Sequence, residues 1–350
     1  AKEIVGNESQ ERMGIVIREE DIEHIRQIAD RERAPFYVVG ETTGDHRFVF
    51  EQTDGVKPID LAMEDMFGKA PRTVMTDRTV EETYEDVTYD QTQLDEYVER
   101  VLQLEAVACK DWLTNKVDRS VTGKIARQQC QGEIQLPLSD CGVVALDYRG
   151  RAGIATSIGH APQAALVDPA AGSVLSIAEA LTNIVWAPLS EGLDSVSLSA
   201  NWMWPCKNEG EDARLYRAVE ACSDFACSLR INIPTGKDSL SMTQKYGKDK
   251  VYSPGTVIIS AGAEVSDIRK VVSPVLRTGV NSTIYYIDFS FDKLKLGGSA
   301  FAQSLDKIGK EVPTVQDSEY FANAFNAVQE LINKELILAG HDISAGGMIT

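Results

Sequence analysis

The residues with the clearest chemical potential are oxygen-bearing side chains in three separate segments. Asp140 stands just before the apolar stretch 142–146, Glu179 and Asn183 are four residues apart, and Asp342 lies in the motif HDISAGG. Residues four apart share one face of a helix, and carboxylate and amide oxygens bind Mg²⁺ together with phosphate oxygens. The pattern is compatible with a Mg²⁺ site, although a Glu/Asn pair at this spacing more often marks a solvated helix face.

A second feature is a basic stretch, residues 110–127, in a chain whose net charge is −18. Its five basic residues outnumber two acidic ones, a local net charge of 5 − 2 = +3; they are Lys110, Lys116, Arg119, Lys124 and Arg127. Local positive charge on an acidic protein can bind phosphate groups. Ordinary surface charge explains the stretch as well.

Glycine-containing motifs give weaker signals. Gly123-Lys124 and GKDS at 236–239 lack the spacing of a GxxxxGK[ST] phosphate-binding loop, and no GxGxxG follows a predicted strand. Glycines in GGSAFAQ (297–303) and AGG (345–347) either expose backbone N–H groups to an anion or simply form tight turns. Both alternatives stay open for these two motifs.

Composition and charge exclude several classes of function. With 35 Lys and Arg against 53 Asp and Glu, the chain lacks the positive charge of general nucleic-acid binders and of proteins that bind anionic membranes. No stretch approaches the roughly 20 apolar residues of a transmembrane helix. The six cysteines form no CxxC pair, which favours reduced thiols in a cytoplasmic protein. We expect neither nucleic acid nor membrane as a partner.

The length of 350 residues predicts two or three domains. In residues 12–75 we predict a small α/β unit, with a helix beginning at Asp21, strands at 36–39 and 47–50, and a short helix at 60–67. Residues 77–100 carry nine acids and two arginines, a net charge of 2 − 9 = −7, and predict a solvated linker that leads into a helix.

The remainder of the chain interleaves strand and helix patterns, which predicts an α/β or α+β arrangement. Between 104 and 268 the predicted strands are 142–146, 152–158, 164–167, 195–199 and 256–261, and the helices are 174–186 and 212–229. Beyond Pro274 we predict strands at 283–288 and 336–338 and helices at 299–305 and 318–334. The start without Met and the end just after a Gly pair predict a piece of a longer polypeptide.

Ten motifs in a fixed order resemble a specific family, the phosphoribosylformylglycinamidine synthases, which are large glutamine-dependent enzymes of purine biosynthesis. The resemblance covers the whole chain, and ten ordered motifs make it far more specific than any one alone. They are NESQERM (7–13), RERAPFYVVGETT (31–43), PIDLAMEDMFGKAPR (58–72), VDRSVTGKIARQQCQG (117–132), LPLSDCGVVALD (136–147), SIAEALTNI (176–184), LSANWMW (198–204), IPTGKDSLSM (233–242), LGGSAFAQ (296–303) and HDISAGG (341–347).

The resemblance implies a mixed α/β (α+β) fold with aminoimidazole ribonucleotide synthetase-like domains, incomplete at both ends. In that family two related halves each have an N-terminal domain that contributes to a central β-barrel and an α/β C-terminal domain. Residues 1–75 then correspond to the tail of the first half's C-terminal domain, and 76–100 to an acidic linker and helix. Residues 101–268 correspond to the second half's N-terminal domain, and 275–350 to the start of its C-terminal domain.

The resemblance also implies a ligand set. The second half of these enzymes holds ADP and Mg²⁺ in an auxiliary site; the matching residues are Asp140, Glu179, Asn183 and Asp342 for the metal and Lys110 and Ser344 for the nucleotide. Catalytic residues of the first half and of a glutaminase are not found. The implied parent enzyme is an ATP-dependent carbon–nitrogen ligase that acts on formylglycinamide ribonucleotide with ammonia from its glutaminase domain.

Two other interpretations stay open. The chain could be a stand-alone ATP-dependent enzyme similar to aminoimidazole ribonucleotide synthetase, although the acidic linker and the block RERAPFYVVGETT before it disfavour this. It could also be a scaffold module without a ligand. The sequence leaves undecided whether two copies associate to complete a barrel, and we expect the isolated chain to be inactive.

Overall fold

The computed structural model describes residues 13–69, 72–114 and 123–350. The chain forms two units that divide after Val74.

The first unit contains a helix, a β-hairpin and a short second helix. Helix α1 (Ile22–Arg31) confirms the helix predicted after Asp21. Strand β1 (Arg47–Phe50) pairs antiparallel with β2 (Ile59–Ala62), and helix α2 (Met63–Phe67) follows directly.

One sequence prediction in this unit is wrong, and the helix predicted at 60–67 is confirmed only for Met63–Phe67. Residues 36–39 form no strand, and the partner of β1 is instead the segment predicted as the start of a helix at 60–67. The tight turn at Gly55, whose φ is +80°, returns the chain onto β1. Across the hairpin, the Arg47 Nε donates a hydrogen bond to Asp60 Oδ1 at 2.8 Å, so a cross-strand ion pair supports the strand.

The second unit is built on a six-stranded mixed sheet with the order β3-β4-β5-β10-β6-β7. All neighbours are antiparallel except β6 and β7, which are parallel. The strands are β3 (Ile125–Arg127), β4 (Gly142–Ala145), β5 (Gly153–Gly159), β6 (Ser197–Met203), β7 (Asn232–Ser239) and β10 (Thr256–Val265); β8 (Thr243–Tyr246) and β9 (Asp249–Tyr252) form a separate hairpin.

Seven helices are described in this unit, and the longer ones cover one face of the sheet. They are α3 (Leu94–Leu102), α4 (Asp111–Thr114), α5 (Pro162–Val167), α6 (Pro169–Ile184), α7 (Glu211–Ser228), α8 (Ala300–Ser304) and α9 (Ser318–Asn333). None of the helices in the described part of the chain is long and apolar enough to span a membrane.

The main core lies between the sheet and α6, α7 and α9. Along β5 buried and exposed residues alternate, as expected for a strand with one covered face. Ile177, Leu181 and Ile184 of α6 are fully buried against this face. Gly159 permits the close approach, because a Cβ at this position would clash with the backbone of Ser176 and Ala180.

Helix α9 packs into the same core although it lies 115 residues beyond β6. Phe321 and Phe325 are fully buried, and the ring of Phe321 lies 5.8 Å from that of Phe225 on α7. The Gln329 side chain accepts from Leu189 N at 2.8 Å and donates to Val185 O at 2.6 Å. These contacts hold α9 against the segment that follows α6. The domain boundary near 268–275 stays a prediction.

Some predicted elements differ from the observed ones. Residues 164–167, predicted as a strand, belong to α5, which has Pro162 in its first turn, where proline is well tolerated. The Arg214 guanidinium donates to the carbonyls of Ala165 and Leu166 and so satisfies the end of this short helix. The predicted strands 283–288 and 336–338 have no strand partner among the described residues.

The acidic stretch predicted as a solvated linker is attached to the unit at its beginning. The Asp77 carboxylate accepts hydrogen bonds from Gly210 N at 3.3 Å and Asp212 N at 3.0 Å. Gly210, the residue before α7, has no side chain to serve as a cap. Asp77, which lies more than 130 residues earlier in the sequence, therefore satisfies free N–H groups at the start of that helix. The helix predicted at the end of the stretch is confirmed as α3.

The mixed α/β fold predicted from the sequence is confirmed. Among the described residues the sheet is open, with β3 and β7 as its edges. The closed barrel implied by the family resemblance stays a prediction.

Candidate metal and nucleotide site

The candidate site is built around helix α6, which is held firmly at both ends. At its start the Asp168 carboxylate accepts from Ala170 N at 2.9 Å, and Pro169 occupies the first turn. Near its end Ser157 Oγ of β5 donates to Ala180 O at 2.6 Å. The helix therefore carries Glu179 and Asn183 in a defined position beside the end of β5.

Asn183 has a fixed orientation. Its Nδ2 donates to Ile158 O of β5 at 2.9 Å, and a hydrogen bond from Asn183 to Glu179 lowers the pKa of that carboxyl. With the amide nitrogen donating to protein atoms, the Oδ1 atom is the part of this side chain suited to bind a cation.

Asp140 and Asp342 meet although 202 residues separate them. Asp140 precedes β4, and its Oδ2 accepts from Asp342 N at 3.2 Å. Both side chains are almost completely buried, with exposures of 5% and 3%. His341 joins them, since its Nδ1 lies 3.1 Å from Asp140 Oδ1 and 3.2 Å from Asp342 Oδ1.

Burial and mutual repulsion disturb the carboxyl groups of this cluster. Burial raises the pKa of Asp140 to about 7, the charge of Asp342 adds to the rise, and His341 opposes it. Burial also raises the pKa of Glu179 to about 8, with further contributions from Asp342 and Asp140. The charges of Asp342 and Asp140 both act on Glu179, which indicates that its carboxyl lies in their electrostatic environment.

The chemistry of this donor set fits a divalent cation. Asp342 Oδ2 is buried and has no hydrogen-bond partner, an arrangement that costs free energy unless another group binds the oxygen. Buried carboxylates in close proximity are stabilised by a cation between them, and Mg²⁺ takes oxygen ligands of this kind. Asp140, His341 and Asp342 each offer a ligand atom, and these atoms lie within 4.8 Å of one another.

The predicted nucleotide residues lie on segments that approach each other. An added Cβ at Gly346, whose φ is +94°, would lie 2.7 Å from Val107 Cγ1, so the loop that follows Ser344 contacts the segment that leads to Lys110. Ser344 is exposed, and Lys110 Nζ donates to Ala108 O at 2.9 Å. The nucleotide role of Lys110 and Ser344 stays a prediction.

The basic stretch forms no single phosphate cradle within the described part of the chain. Lys124 Nζ donates to Leu146 O at 2.7 Å, and the Arg127 guanidinium donates to Gln131 Oε1 and Val271 O, each at 2.8 Å. These two side chains hold loops together. Lys116 and Arg119 lie outside the described residues.

The glycine motif GGSAFAQ has a packing role. A Cβ at Gly298, where φ is +66°, would lie 2.7 Å from Ala164 Cα of α5, and Ser299 Oγ accepts from Ala302 N at 3.0 Å at the start of α8. Close packing and capping explain this motif.

The contact of His341 with the carboxylates was not predicted from the sequence, although its position directly before Asp342 in HDISAGG was a signal.

The comparisons with known proteins agree with the resemblance read from the motifs. A family model described as "FGAR-AT PurM_N-like domain" matches residues 109–264. Over its whole length the chain is 38% identical to phosphoribosylformylglycinamidine synthase of Drosophila melanogaster and 37% identical to that of Homo sapiens. The chain spans 27% of the length of each of these relatives.

Solved structures show a related fold. T. maritima PurL complexed with ATP superposes with a TM-score of 0.52 at 16% identity, covering 77% of this chain and 40% of that one. The complex with ADP gives a TM-score of 0.52 at 15% identity, covering 74% of this chain and 39% of that one. The predicted resemblance to the phosphoribosylformylglycinamidine synthases is confirmed by the whole-chain similarity to these relatives.

Proposed function

We propose that this chain, which is similar over its whole length to phosphoribosylformylglycinamidine synthases, forms part of such an enzyme and holds its auxiliary ADP and Mg²⁺ site. The observation that carries the proposal is the meeting of Asp140 and Asp342, which come from distant segments, as buried neighbours with an unpartnered carboxylate oxygen. The charges of both also raise the pKa of Glu179. Four oxygen-bearing side chains predicted from the family motifs thus have the chemistry of a Mg²⁺ site.

The reaction of the parent enzyme gives this site its context. ATP transfers a phosphoryl group to the formyl amide oxygen of formylglycinamide ribonucleotide, and ammonia then displaces phosphate to form the amidine. Ammonia is released from glutamine by a glutaminase domain of the parent chain. We assign this segment to the auxiliary nucleotide site because the family's catalytic motifs are not found in its sequence, and we expect no amidine formation by the isolated chain.

Each residue of the site has a distinct role in this proposal. Asp140, Glu179, Asn183 and Asp342 hold Mg²⁺, which when bound neutralises the diphosphate of ADP. Lys110 adds a positive charge for a phosphate, and Ser344 offers a hydroxyl at the loop beside it. The contact of Asn183 with β5 and that of Ser157 with α6 keep the helical ligands in place.

Thermal unfolding with ADP and Mg²⁺ tests the proposal. A ligand at about 100 times its Kd stabilises the folded state by about 2.7 kcal/mol, which raises the Tm of a unit of this size by roughly 5 °C. We expect that rise for the wild type, and little or none for Asp140→Asn or Glu179→Gln. The matched control is Glu220→Gln, since Glu220 is an exposed carboxylate of α7.

The same experiment separates the other interpretations. A wild-type Tm unchanged by saturating ADP and Mg²⁺ supports a scaffold without a ligand and contradicts the proposed site. Equal shifts in Asp140→Asn and in the Glu220→Gln control mean that nucleotide binds elsewhere. ATP turnover and amidine formation by the chain alone would instead support a stand-alone enzyme.

A further inference from the structure

His341 occupies a central position among the buried carboxylates. Its Nδ1 lies 3.1 Å from Asp140 Oδ1, 3.2 Å from Asp342 Oδ1 and 2.9 Å from the backbone oxygen of Asp342. The family motifs point to oxygen ligands only, so a nitrogen donor at this position changes the expected chemistry of the site.

The separations suit neighbouring ligands of one metal ion. An octahedral ion with ligands at about 2.1 Å places adjacent ligand atoms about 3 Å apart, close to the two nitrogen–oxygen separations at His341. A hydrogen bond from imidazole to carboxylate has similar length. Distance alone therefore allows both metal ligation and a direct hydrogen bond.

The second observation is the unpartnered oxygen of Asp342. Its carboxylate is 97% buried, and Oδ2 has no hydrogen-bond partner. Nδ1 carries at most one proton, so as a donor it can serve only one of the three oxygens around it, and it leaves Asp342 Oδ2 unsatisfied. A metal ion bound by the carboxylates and the imidazole nitrogen satisfies the oxygen and both neighbouring groups.

We infer that His341 Nδ1 is a further ligand of the cation held by Asp140 and Asp342, and that the site consequently binds Co²⁺ and Mn²⁺ more tightly than Mg²⁺. The inference rests on the proposed function, because it needs a cation between these carboxylates. Imidazole nitrogen favours first-row transition ions, whereas carboxylate and carbonyl oxygens suit Mg²⁺. The ligating nitrogen is unprotonated in the complex, and the proton it loses goes to solvent.

Electron spin echo envelope modulation with Mn²⁺ bound to the 350-residue chain tests this directly. At one equivalent of Mn²⁺ we expect ¹⁴N modulation from a bound imidazole in the wild type. His341→Gln should lose the modulation, and His24→Gln should keep it, since His24 is an exposed histidine of α1 in the other unit. Asp140→Asn shows whether the bound Mn²⁺ occupies the carboxylate site, because loss of this carboxylate should weaken Mn²⁺ binding there.

Metal affinities provide a second readout that a change in folding would not produce. In His341→Gln we expect the ratio of Co²⁺ affinity to Mg²⁺ affinity to fall about tenfold, while Mg²⁺ binding changes much less. A metal-free Tm close to that of the wild type confirms that the variant is folded.

The outcomes are distinguishable. Mn²⁺ bound in an Asp140-dependent way without ¹⁴N modulation overturns the assignment of His341 and leaves the proposed nucleotide site intact. A Co²⁺ to Mg²⁺ ratio unchanged in a folded His341→Gln variant overturns it as well. Mn²⁺ binding that is absent, or unaffected by Asp140→Asn, contradicts the proposed site and the inference together.

Discussion

At the scale of single residues, the site shows how much a motif can predict. Asp140, Glu179, Asn183 and Asp342 were all candidates from the sequence. In the structure a hydrogen bond joins Asp342 to Asp140, and the charges of both raise the pKa of Glu179. The depth of burial could not be predicted, because it depends on contacts between residues 202 positions apart. The motif HDISAGG places His341 beside Asp342, but the contact of its ring with Asp140 could not be predicted, because Asp140 lies about 200 residues earlier in the chain.

These perturbed carboxyls predict an unusual pH dependence. The pKa of Asp140 rises from 3.8 to about 7 and that of Glu179 from 4.5 to about 8, so between these limits the folded state binds more protons than the unfolded chain. Without a cation, the free energy of unfolding should therefore decrease from pH 5 to pH 8. The two shifts together give an expected loss on the order of 6 kcal/mol.

Urea unfolding at pH 5 and pH 8 measures this effect. His341, whose pKa is raised chiefly by its hydrogen bond with Asp342, contributes stability that is also lost as pH rises. Asp140→Asn should flatten the dependence, and ADP with Mg²⁺ should restore stability at pH 8. A wild type whose stability increases steadily from pH 5 to pH 8 would contradict the assigned pKa shifts.

At the scale of elements, periodicity predicted the parts that have one buried face. Strands β4, β5, β6 and β10 and helices α6, α7 and α9 were recognised within a few residues, because their apolar spacing follows the burial. Strand β7 was missed: it is an edge strand with Pro234 and Gly236, and six of its eight residues are exposed. Helix α5 was mistaken for a strand because a run of four apolar residues fits either structure.

The close contact between β5 and α6 should be sensitive to a single methyl group. In Gly159→Ala the new Cβ clashes with backbone atoms of Ser176 and Ala180, and overpacking of this kind costs about 1–3 kcal/mol. We also expect weaker Mg²⁺ and ADP binding, since α6 carries Glu179.

The matched control is Gly262→Ala on the neighbouring strand β10. There an added Cβ meets only Ala155 O at 4.0 Å, so both stability and ligand binding should stay close to those of the wild type. Chemical denaturation and calorimetric titration of the two variants measure both quantities. Equal effects at both glycines would show that packing between β5 and α6 does not determine the site.

At the scale of the whole molecule, the sequence predicted a mixed α/β fold but not how distant segments combine. Helix α9 belongs to the core formed by β5, β6, β10, α6 and α7, and residues just beyond it supply His341 and Asp342. The C-terminal part of the chain thus contributes both to the core of the second unit and to the proposed metal site. The packing of α9 into this core could not be predicted from the sequence, because apolar spacing identifies the buried face of a helix but not the element that covers it.

We therefore expect α9 and the sheet to unfold in one transition. Phe325→Ala removes a fully buried ring and should destabilise the second unit by about 3–5 kcal/mol. In differential scanning calorimetry, the transition that it lowers should be the one that ADP and Mg²⁺ raise. Leu336→Ala, at a position that is 64% exposed, serves as the control and should leave that transition nearly unchanged.

A Phe325→Ala variant that lowers a different transition from the ligand-dependent one would contradict the shared core. Such a result would mean that α9 unfolds independently of the part of the unit that binds the ligand. The buried side chain of Gln329, which bonds Leu189, Val185 and Ala187, would then have to be reinterpreted as a local contact.

If the buried carboxylates form a cation-dependent nucleotide site, ADP should bind to the chain only when Mg²⁺ is present, and calorimetric titration of ADP at pH 8 measures this. With Mg²⁺ present, we expect saturable binding to one site, abolished by omission of Mg²⁺ and strongly weakened in Asp140→Asn but not in Glu220→Gln. Binding of equal affinity in Asp140→Asn and the wild type, or no binding by a folded wild-type chain, would contradict the proposed site.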